Sequence, residues 1–245
     1  MLRYAIDADT AILQSLYAFP YLSVKQITKL LYSPGSKRSG VNPRMKNLFE
    51  SELVLRDLMY SQVYAKEYVY WLSTKGRNKL RKLGYDFSGW REPSKMADFI
   101  KSPHFQHYMA TTDFLIATTL LPDVQVKAVM HDFTLKRIRN AQVIPDGWLH
   151  LEVQGKEIYL WLEIDMGSEK RERIQDKVWT IIDYITSNGY QRDYQTPTPI
   201  IAFYAVGEHR RDELIGWIEQ KLNAMYEAKK ARWFRVGCGE LSPSL

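Results

Sequence analysis

Apolar positions in the first third of the chain recur at helical spacing and then give way to two strand-like runs. Ile12, Leu13 and Leu16 share one face of a first helix. Ser23 is a favourable N-cap for a second helix, and Pro43 can open a third because its missing N–H is tolerated in a first turn. The predicted elements are helices at 8–19, 24–32 and 43–53, strands at 53–63 and 66–73, and a fourth helix from 74 that ends at Gly84. The third helix is expected to direct Met45, Leu48, Phe49 and Leu53 into the core.

Strand-like and helical patterns alternate through the rest of the chain. Pro103 begins a helix that is predicted to run to residue 121. The turn Gln154-Gly155-Lys156 joins two strands as a hairpin. A long amphipathic helix is predicted from Ser168, which caps it, to residue 187, and Gly189 stops it. The remaining elements are strands at 124–130, 146–153, 157–165, 199–206 and 232–236, and a helix at 210–228.

This order of elements predicts an α+β protein with two domains. The first domain, residues 1–88, holds the four helices and the strand pair. Residues 89–102 contain Gly, Pro and Ser with weak periodicity and are predicted to form a linker. The second domain, residues 103–245, is predicted to be an α/β domain with a mixed sheet flanked by helices.

The net charge of +6 is concentrated in the first third of the chain. Residues 1–90 contain 14 Lys and Arg against 7 Asp and Glu, whereas the remaining residues contain 20 against 21. A local basic excess favours a polyanionic partner such as nucleic acid. A solvated basic surface without a partner is the alternative that charge alone leaves open.

Several classes of protein are disfavoured by the sequence. A single cysteine, Cys238, excludes a disulfide within the chain and fits a reducing compartment. The N-terminus lacks the pattern of a signal peptide, and no apolar run is long enough to span a bilayer. We therefore expect a cytoplasmic protein with no membrane partner. The GxxxxGK[ST] loop, a GxGxxG after a strand and the GxSxG elbow are also missing from the sequence.

Three helices followed by two strands is the order of a winged helix-turn-helix module, and residues 8–85 resemble that family. The phrase YVYWLSTKGRNKLRKLG is similar to a wing strand that runs into the last helix of such domains. The resemblance implies that the helix near residues 42–53 is a recognition helix for double-stranded DNA. The side chains at its start suit phosphate contact and base reading, and they are Lys37, Arg38, Asn42, Arg44, Lys46 and Asn47. A module used only for protein contact or dimerisation is the alternative.

Three acidic residues lie at the ends of two predicted strands of the second domain. Glu163 and Asp165 point to the same face, because side chains alternate along a strand. If Asp146 lies on the neighbouring strand, three carboxylates converge and would need a cation, for which Mg²⁺ or Mn²⁺ suits the oxygen ligands. Lys177 is placed by its helical spacing within reach of the sheet. Exposed turn acids and a surface lysine are the alternative interpretation.

Pro145-Asp146 and Glu163-Ile164-Asp165, with the order of elements around them, resemble the PD-(D/E)XK nuclease-like fold. In that family two acids hold a divalent metal, and a lysine helps to orient the attacking water. The resemblance implies Asp146 and Glu163 as metal ligands and catalytic acids. Asp165 stands where the family has its lysine, so it is a candidate third ligand and Lys177 the candidate catalytic lysine. We expect the geometry of such a site to be kept without nuclease activity.

A winged helix precedes a helix with His107 and Asp113, the segment PDGWLHL and the segment WLEIDMGSEKRERIQDKVWTIIDY. Together these features resemble the replication-relaxation family of bacterial mobile elements over the whole chain. Ser168 stands where that family commonly has threonine. The resemblance implies a protein of a plasmid or conjugative element that assists DNA replication or relaxation.

The sequence supports three functional hypotheses. The leading one is a DNA-binding protein that recognises a duplex through the winged helix and serves a mobile element. The alternatives are a metal-dependent endonuclease that uses Asp146 and Glu163, and a dimeric transcriptional regulator. The expected partners are double-stranded DNA, a replication protein or relaxase, and a second copy of the chain. Mg²⁺ or Mn²⁺ is a cofactor only of the endonuclease alternative.

Overall fold

A computed structural model of the chain contains two β-sheets of different size. The structure describes residues 7–32, 40–59, 67–90, 96–138 and 141–239. One unit extends to Leu120, and a second begins at Leu121. The first unit contains a three-stranded sheet and the second a five-stranded mixed sheet, and helices accompany both. The predicted α+β class is therefore confirmed.

The first unit begins with three helices and a small antiparallel sheet. Its helices are α1 (Ala8–Ala18), α2 (Val24–Leu31), α3 (Val41–Glu50), α4 (Thr74–Lys82), α5 (Met96–Ile100) and α6 (Pro103–Thr119). Its strands are β1 (Leu22–Ser23), β2 (Val54–Met59) and β3 (Glu67–Leu72), in the order β1-β3-β2. The sequence predicts all of these except β1 and α5, which are too short to show a hydrophobic period.

Local capping explains where the first helices begin. Ser23 accepts a hydrogen bond from the backbone N–H of Gln26, whose side chain bonds back to the N–H of Ser23. This capping box satisfies two donors that the first turn of α2 would otherwise leave unpaired. Helix α3 begins at Val41, two residues earlier than predicted, so that Pro43 lies within its first turn.

Two of the four side chains that the third helix was expected to direct into the core are buried in the first unit. Met45 and Leu48 are fully buried, with Val41 on the same stripe. Phe49 is 36% exposed, and its predicted core position is wrong. At roughly 100° per residue, Phe49 lies at the edge of that stripe and turns towards β2 and β3.

Helix α6 packs within the first unit, whereas the sequence placed it at the start of the second domain. The backbone N–H of Tyr21 donates to Tyr108 Oη at 3.1 Å, and Gln26 Nε2 donates to Asp113 Oδ1 at 3.0 Å. Phe105 and Tyr108 are buried beside Tyr21. Periodicity identifies a helix but not the surface that it covers, which is why the division between the units lies after α6 rather than before it.

The second unit is a five-stranded sheet with the strand order β4-β5-β6-β7-β8. Its strands are β4 (Val124–His131), β5 (Gly147–Val153), β6 (Lys156–Asp165), β7 (Ile200–Val206) and β8 (Phe234–Gly239). Its helices are α7 (Asp132–Ile138), α8 (Arg171–Thr186), α9 (Gly189–Tyr194) and α10 (Glu208–Ala224), and a 3-10 helix spans Ala228–Trp233. Strands β4, β5 and β6 are antiparallel, and β6, β7 and β8 are parallel. The parallel pairs are joined through helices, as parallel strands require.

The boundaries of α8 differ from the prediction at both ends. The helix begins at Arg171, and its N-cap is Lys170 without a side-chain cap bond, so Ser168 is not the cap. Helix α8 ends before Asn188, which adopts a left-handed conformation with φ of 61°, and Gly189 begins α9. The hairpin between β5 and β6 is as predicted, because Gln154 and Gly155 both have positive φ.

One face of this sheet packs against α8 and α10. Trp161 of β6, Phe203 of β7 and Phe234 of β8 lie in one buried cluster with side chains of both helices. The contributions of α8 are Ile174, Val178, Ile181, Ile182, Tyr184 and Ile185. Within the described part of the chain, no helix is both long and apolar enough to cross a membrane.

Gly76 allows α4 to approach the residue that precedes β2. A Cβ atom at Gly76 would lie 2.1 Å from the carbonyl oxygen of Leu53, whereas a Cβ at Gly216 of α10 has nothing within 4 Å. We expect Gly76→Ala to lower the free energy of unfolding by about 1–3 kcal/mol through overpacking. Gly216→Ala, the matched control, should raise it by up to about 1 kcal/mol. Urea denaturation measures both, and equal effects of the two substitutions would contradict this packing.

Candidate functional site

The outer surface of α3 carries polar and basic side chains over a buried apolar stripe. Asn42, Arg44, Lys46 and Asn47 are all exposed. Lys37 and Arg38, which were predicted to join them, lie outside the described residues. The structure therefore places four of the six candidate DNA-binding residues on one exposed helix.

These four residues occupy different flanks of α3. Asn42 and Lys46 are one turn apart and lie on the flank that continues to Phe49, which we call the hairpin flank (Asn42, Lys46, Phe49). Arg44 lies on the opposite flank, where its guanidinium pairs with Asp9 of α1 at 2.9 Å. The hydrogen bond and charge of Asp9 raise the pKa of Arg44. Lys46 lies 3.7 Å from Glu50, and both side chains are more than half exposed.

Asp146 and Glu163 meet at one end of the sheet in the second unit. Gly147 pairs with Leu162 in the antiparallel ladder, so the residue before β5 lies opposite Glu163. The side chain of Asp146 turns to the backbone, and its Oδ2 accepts a hydrogen bond from the N–H of Ile164 at 2.8 Å. The predicted proximity of Asp146 and Glu163 agrees with this register.

Glu163 is a buried carboxylate with two direct partners. Its Oε1 accepts a hydrogen bond from Trp161 Nε1 at 2.7 Å, and its Oε2 lies 3.0 Å from Lys177 Nζ. Burial raises the pKa of Glu163 to about 7, although Lys177 opposes the shift, and the negative charge of Asp146 reinforces it. A carboxyl in this position changes its charge near neutral pH.

Lys177 reaches from α8 to two carboxylates at once. Besides Glu163, its ammonium lies 3.2 Å from Glu169, which precedes α8. Burial alone would lower the pKa of Lys177, but the charges of Glu163, Asp146 and Glu169 outweigh burial and hold the pKa above its ordinary value. Lys177 is therefore held as a cation between two acids.

Asp165 lies on the same face of β6 as Glu163 but has a different partner. Arg210 of α10 donates from Nε to Asp165 Oδ2 at 2.5 Å, and the N–H of Gly167 donates to Oδ1 at 3.0 Å. Arg210 also donates to the backbone carbonyl of Glu169 and stacks over the ring of Trp217. The carboxylate of Asp165 is therefore held in an ion pair with α10.

The three acids of the predicted metal site all have protein partners. Asp146, Glu163 and Asp165 each already accept hydrogen bonds or ion pairs from protein donors. Among the described residues, no group of three or more His, Cys, Asp or Glu side chains is arranged to hold a metal ion. The donor set does not fit the three-carboxylate ligand set expected from the sequence, because Arg210 takes up Asp165.

Sequence reasoning missed several residues that complete this end of the sheet. Arg210 lies 45 residues after Asp165, and only the fold brings it to the acids, whereas Glu169 lies within the segment WLEIDMGSEKRERIQDKVWTIIDY that the sequence analysis singles out. His131, at the end of β4, contacts the carboxylate of Asp132, whose N–H donates to the carbonyl of Asp146 at 3.0 Å. Burial would raise the pKa of Asp132, but His131 and Lys136 outweigh burial and hold it at about 2. A His-Asp dipeptide carries no period or spacing that would have indicated this position.

One family model matches most of the sequence of this chain. The model of the replication-relaxation family matches residues 13–200, which is most of the chain. The chain belongs to the replication-relaxation family. No curated protein sequence matches it. The resemblance predicted from the sequence is thereby confirmed.

This replication-relaxation protein is similar to two solved structures, in both cases with a low TM-score. One is Bacillus subtilis PadR in complex with operator DNA, with 13% identity over 90% of this chain and 96% of that chain and a TM-score of 0.27. The other is the restriction endonuclease FokI bound to DNA, with 11% identity over 88% of this chain and 41% of that chain and a TM-score of 0.32.

The raised pKa of Glu163 predicts how the stability of this replication-relaxation protein depends on pH. Between about pH 4.5 and 7 the folded protein keeps a proton on Glu163 that the unfolded chain has released. The free energy of unfolding should therefore fall as pH rises through this window, by on the order of 2 kcal/mol. Glu163→Gln should remove this fall, as measured by urea denaturation across the window.

Glu172→Gln supplies the control, because Glu172 is an exposed carboxylate at the start of α8. This variant should keep the pH dependence of the wild type. The same slope of stability against pH in wild type and Glu163→Gln would show that Glu163 does not titrate in this range.

Proposed function

We propose that this replication-relaxation family member binds double-stranded DNA through its first unit, and that it assists the replication or relaxation of a plasmid or other mobile element. The observation that carries the proposal is the exposed polar and basic surface of α3, which stands on a buried stripe in a basic unit. In this proposal the first unit is a winged helix-turn-helix module and α3 is its recognition helix.

The order of elements supports this assignment. Helices α1, α2 and α3 are followed by the antiparallel pair β2 and β3, which is the winged helix-turn-helix order. Helix α3 has ten residues, so it is about 15 Å long, which suits a helix that lies across the major groove. Its exposed amides Asn42 and Asn47 can pair with base edges.

Electrostatics supports the same face. Lys46 is 71% exposed, and its contact with Glu50 is long, so the ammonium is available to a phosphate at little cost. Neutralising phosphates releases condensed counterions, so binding through Lys46 depends on salt. The family description, replication-relaxation, names a process that acts on DNA.

Lys46 is the residue of α3 whose loss should affect DNA binding most directly. We expect Lys46→Ala to weaken binding to a labelled mixed-sequence duplex and to reduce the slope of log K against log salt by about 0.9. Arg44→Ala should reduce the slope by less, because Asp9 already neutralises part of the charge of Arg44. Fluorescence anisotropy at several salt concentrations measures both.

Lys170→Ala is the matched control, since Lys170 is an exposed lysine of the second unit. It should leave affinity and slope close to those of the wild type. An unchanged slope for Lys46→Ala would remove α3 from the interface, and a wild type that binds no duplex would remove the proposed function.

A metal-dependent endonuclease is a second candidate, favoured by one observation. Asp146, Glu163 and Lys177 of the predicted catalytic set lie together at one end of the sheet. The chemistry is disfavoured by the contacts of Lys177, because an ammonium shared by Glu163 and Glu169 is not available to orient water.

We expect no nicking of supercoiled plasmid by the full chain in the presence of Mg²⁺ or Mn²⁺. The assay compares the wild type with Asp146→Ala and Glu163→Ala, and agarose gels resolve nicked from supercoiled DNA. Nicking by the wild type that both substitutions abolish would make the endonuclease the function of the second unit.

A further inference from the structure

Arg56 of β2 has an unusual position beside α3. Its guanidinium carbon lies 4.3 Å from the ring centroid of Phe49 and 4.3 Å from that of Tyr68. Phe49 ends the hairpin flank of α3, and Tyr68 is the diagonal neighbour of Arg56 across the β2–β3 pair. Three elements of the first unit therefore meet at one guanidinium group.

Both rings face solvent to an extent that core packing does not explain. Phe49 is 36% exposed and Tyr68 is 42% exposed, while neighbouring Leu48 and Val69 are buried. A large exposed ring contributes little to a core. Two such rings on one arginine fix the position of a long, flexible side chain that would otherwise sample many rotamers.

The chemistry of the guanidinium determines what this arrangement can bind. Aromatic rings contact the planar faces of the group, whereas its five N–H donors point outward in the plane. Arg56 forms no ion pair with any residue that the structure describes. No described carboxylate therefore takes up its donors, and the fork geometry of the guanidinium matches the oxygens of a phosphate.

We propose that Arg56, held by Phe49 and Tyr68, is a phosphate contact that extends the DNA interface from the hairpin flank of α3 onto the β2–β3 pair. The inference rests on the proposed DNA binding. Asn42, Lys46 and Phe49 lie along one side of α3, so the line from Asn42 to Arg56 follows a single face. Arg44 lies on the other flank, where it pairs with Asp9.

The test measures the affinity of the full chain for a labelled mixed-sequence DNA duplex over a series of salt concentrations. Arg56→Ala should weaken binding roughly tenfold, as expected for one charge-assisted contact, and should reduce the salt slope by about 0.9. Arg56→Lys should also weaken binding, because lysine keeps the charge but cannot stack or offer a planar fork. Circular dichroism establishes that each variant is folded.

Arg81→Ala is the matched control. Arg81 of α4 is an exposed arginine of the first unit whose guanidinium carbon lies 5.2 Å from the centroid of the Phe87 ring, whereas Arg56 is half-buried. Its loss removes the same charge and should change affinity and slope less than Arg56→Ala does. If Arg56→Ala does not fold, Tyr68→Leu keeps the charge, removes one ring and should weaken binding.

The outcomes separate this inference from the proposed function. Equal effects of Arg56→Ala and Arg81→Ala, with Lys46→Ala still weakening binding, would overturn the inference and leave α3 as the interface. Wild-type affinity in Arg56→Lys would overturn the role of the two rings. A wild type that binds no duplex would overturn the proposed function and the inference together.

Discussion

The alternation of side chains along β6 is the constraint on which the second unit depends. Trp161, Glu163 and Asp165 face the layer formed by α8 and α10, because successive strand residues point to opposite faces. Two acids thus enter a buried layer, where an unpaired charge costs several kcal/mol. Lys177 of α8 and Arg210 of α10 supply the compensating cations. The two ion pairs therefore determine where both helices can lie against the sheet, in addition to the apolar contacts.

The first unit distributes its charges in the opposite way. Its exposed cations include those of α3 and α4, while its buried polar residues are uncharged groups such as Ser23 and Gln26, which cap α2. Surface charges contribute little to stability, so they can be selected for a partner. Buried ion pairs, by contrast, fix the relative positions of the elements that they join, and their charges are not available to a partner. This difference is why a binding role is assigned to the first unit.

The sequence predicted the features that depend on the local periodicity of the chain. The predictions failed for features that tertiary contacts determine. The helical spacing that places Lys177 beside the sheet, and the alternation that places Glu163 and Asp165 on one face, are local properties. Arg210 lies 45 residues after Asp165 and reaches it only through a crossover connection, so no spacing rule could have paired them. Phe49 was expected in the core because it is apolar, but its position on α3 turns it towards Arg56. The cap of α8 was misplaced because Ser168 satisfied a local rule that the backbone after β6 does not follow.

Any catalytic use of Lys177 in the second unit would compete with its structural ion pairs. Releasing Lys177 to orient water would leave Glu163 and Glu169 without their shared cation in a buried site, which is the costly way to break a buried ion pair. Protonation of Glu163 near neutral pH would neutralise only one of the two acids. Lys177 and the two acids thus join α8 to β6 and to the segment before α8, in addition to the apolar contacts of the helix. Buried charges of this kind contribute to how α8 packs on β6, so their spacing in the sequence of this chain is not by itself a sign of catalysis.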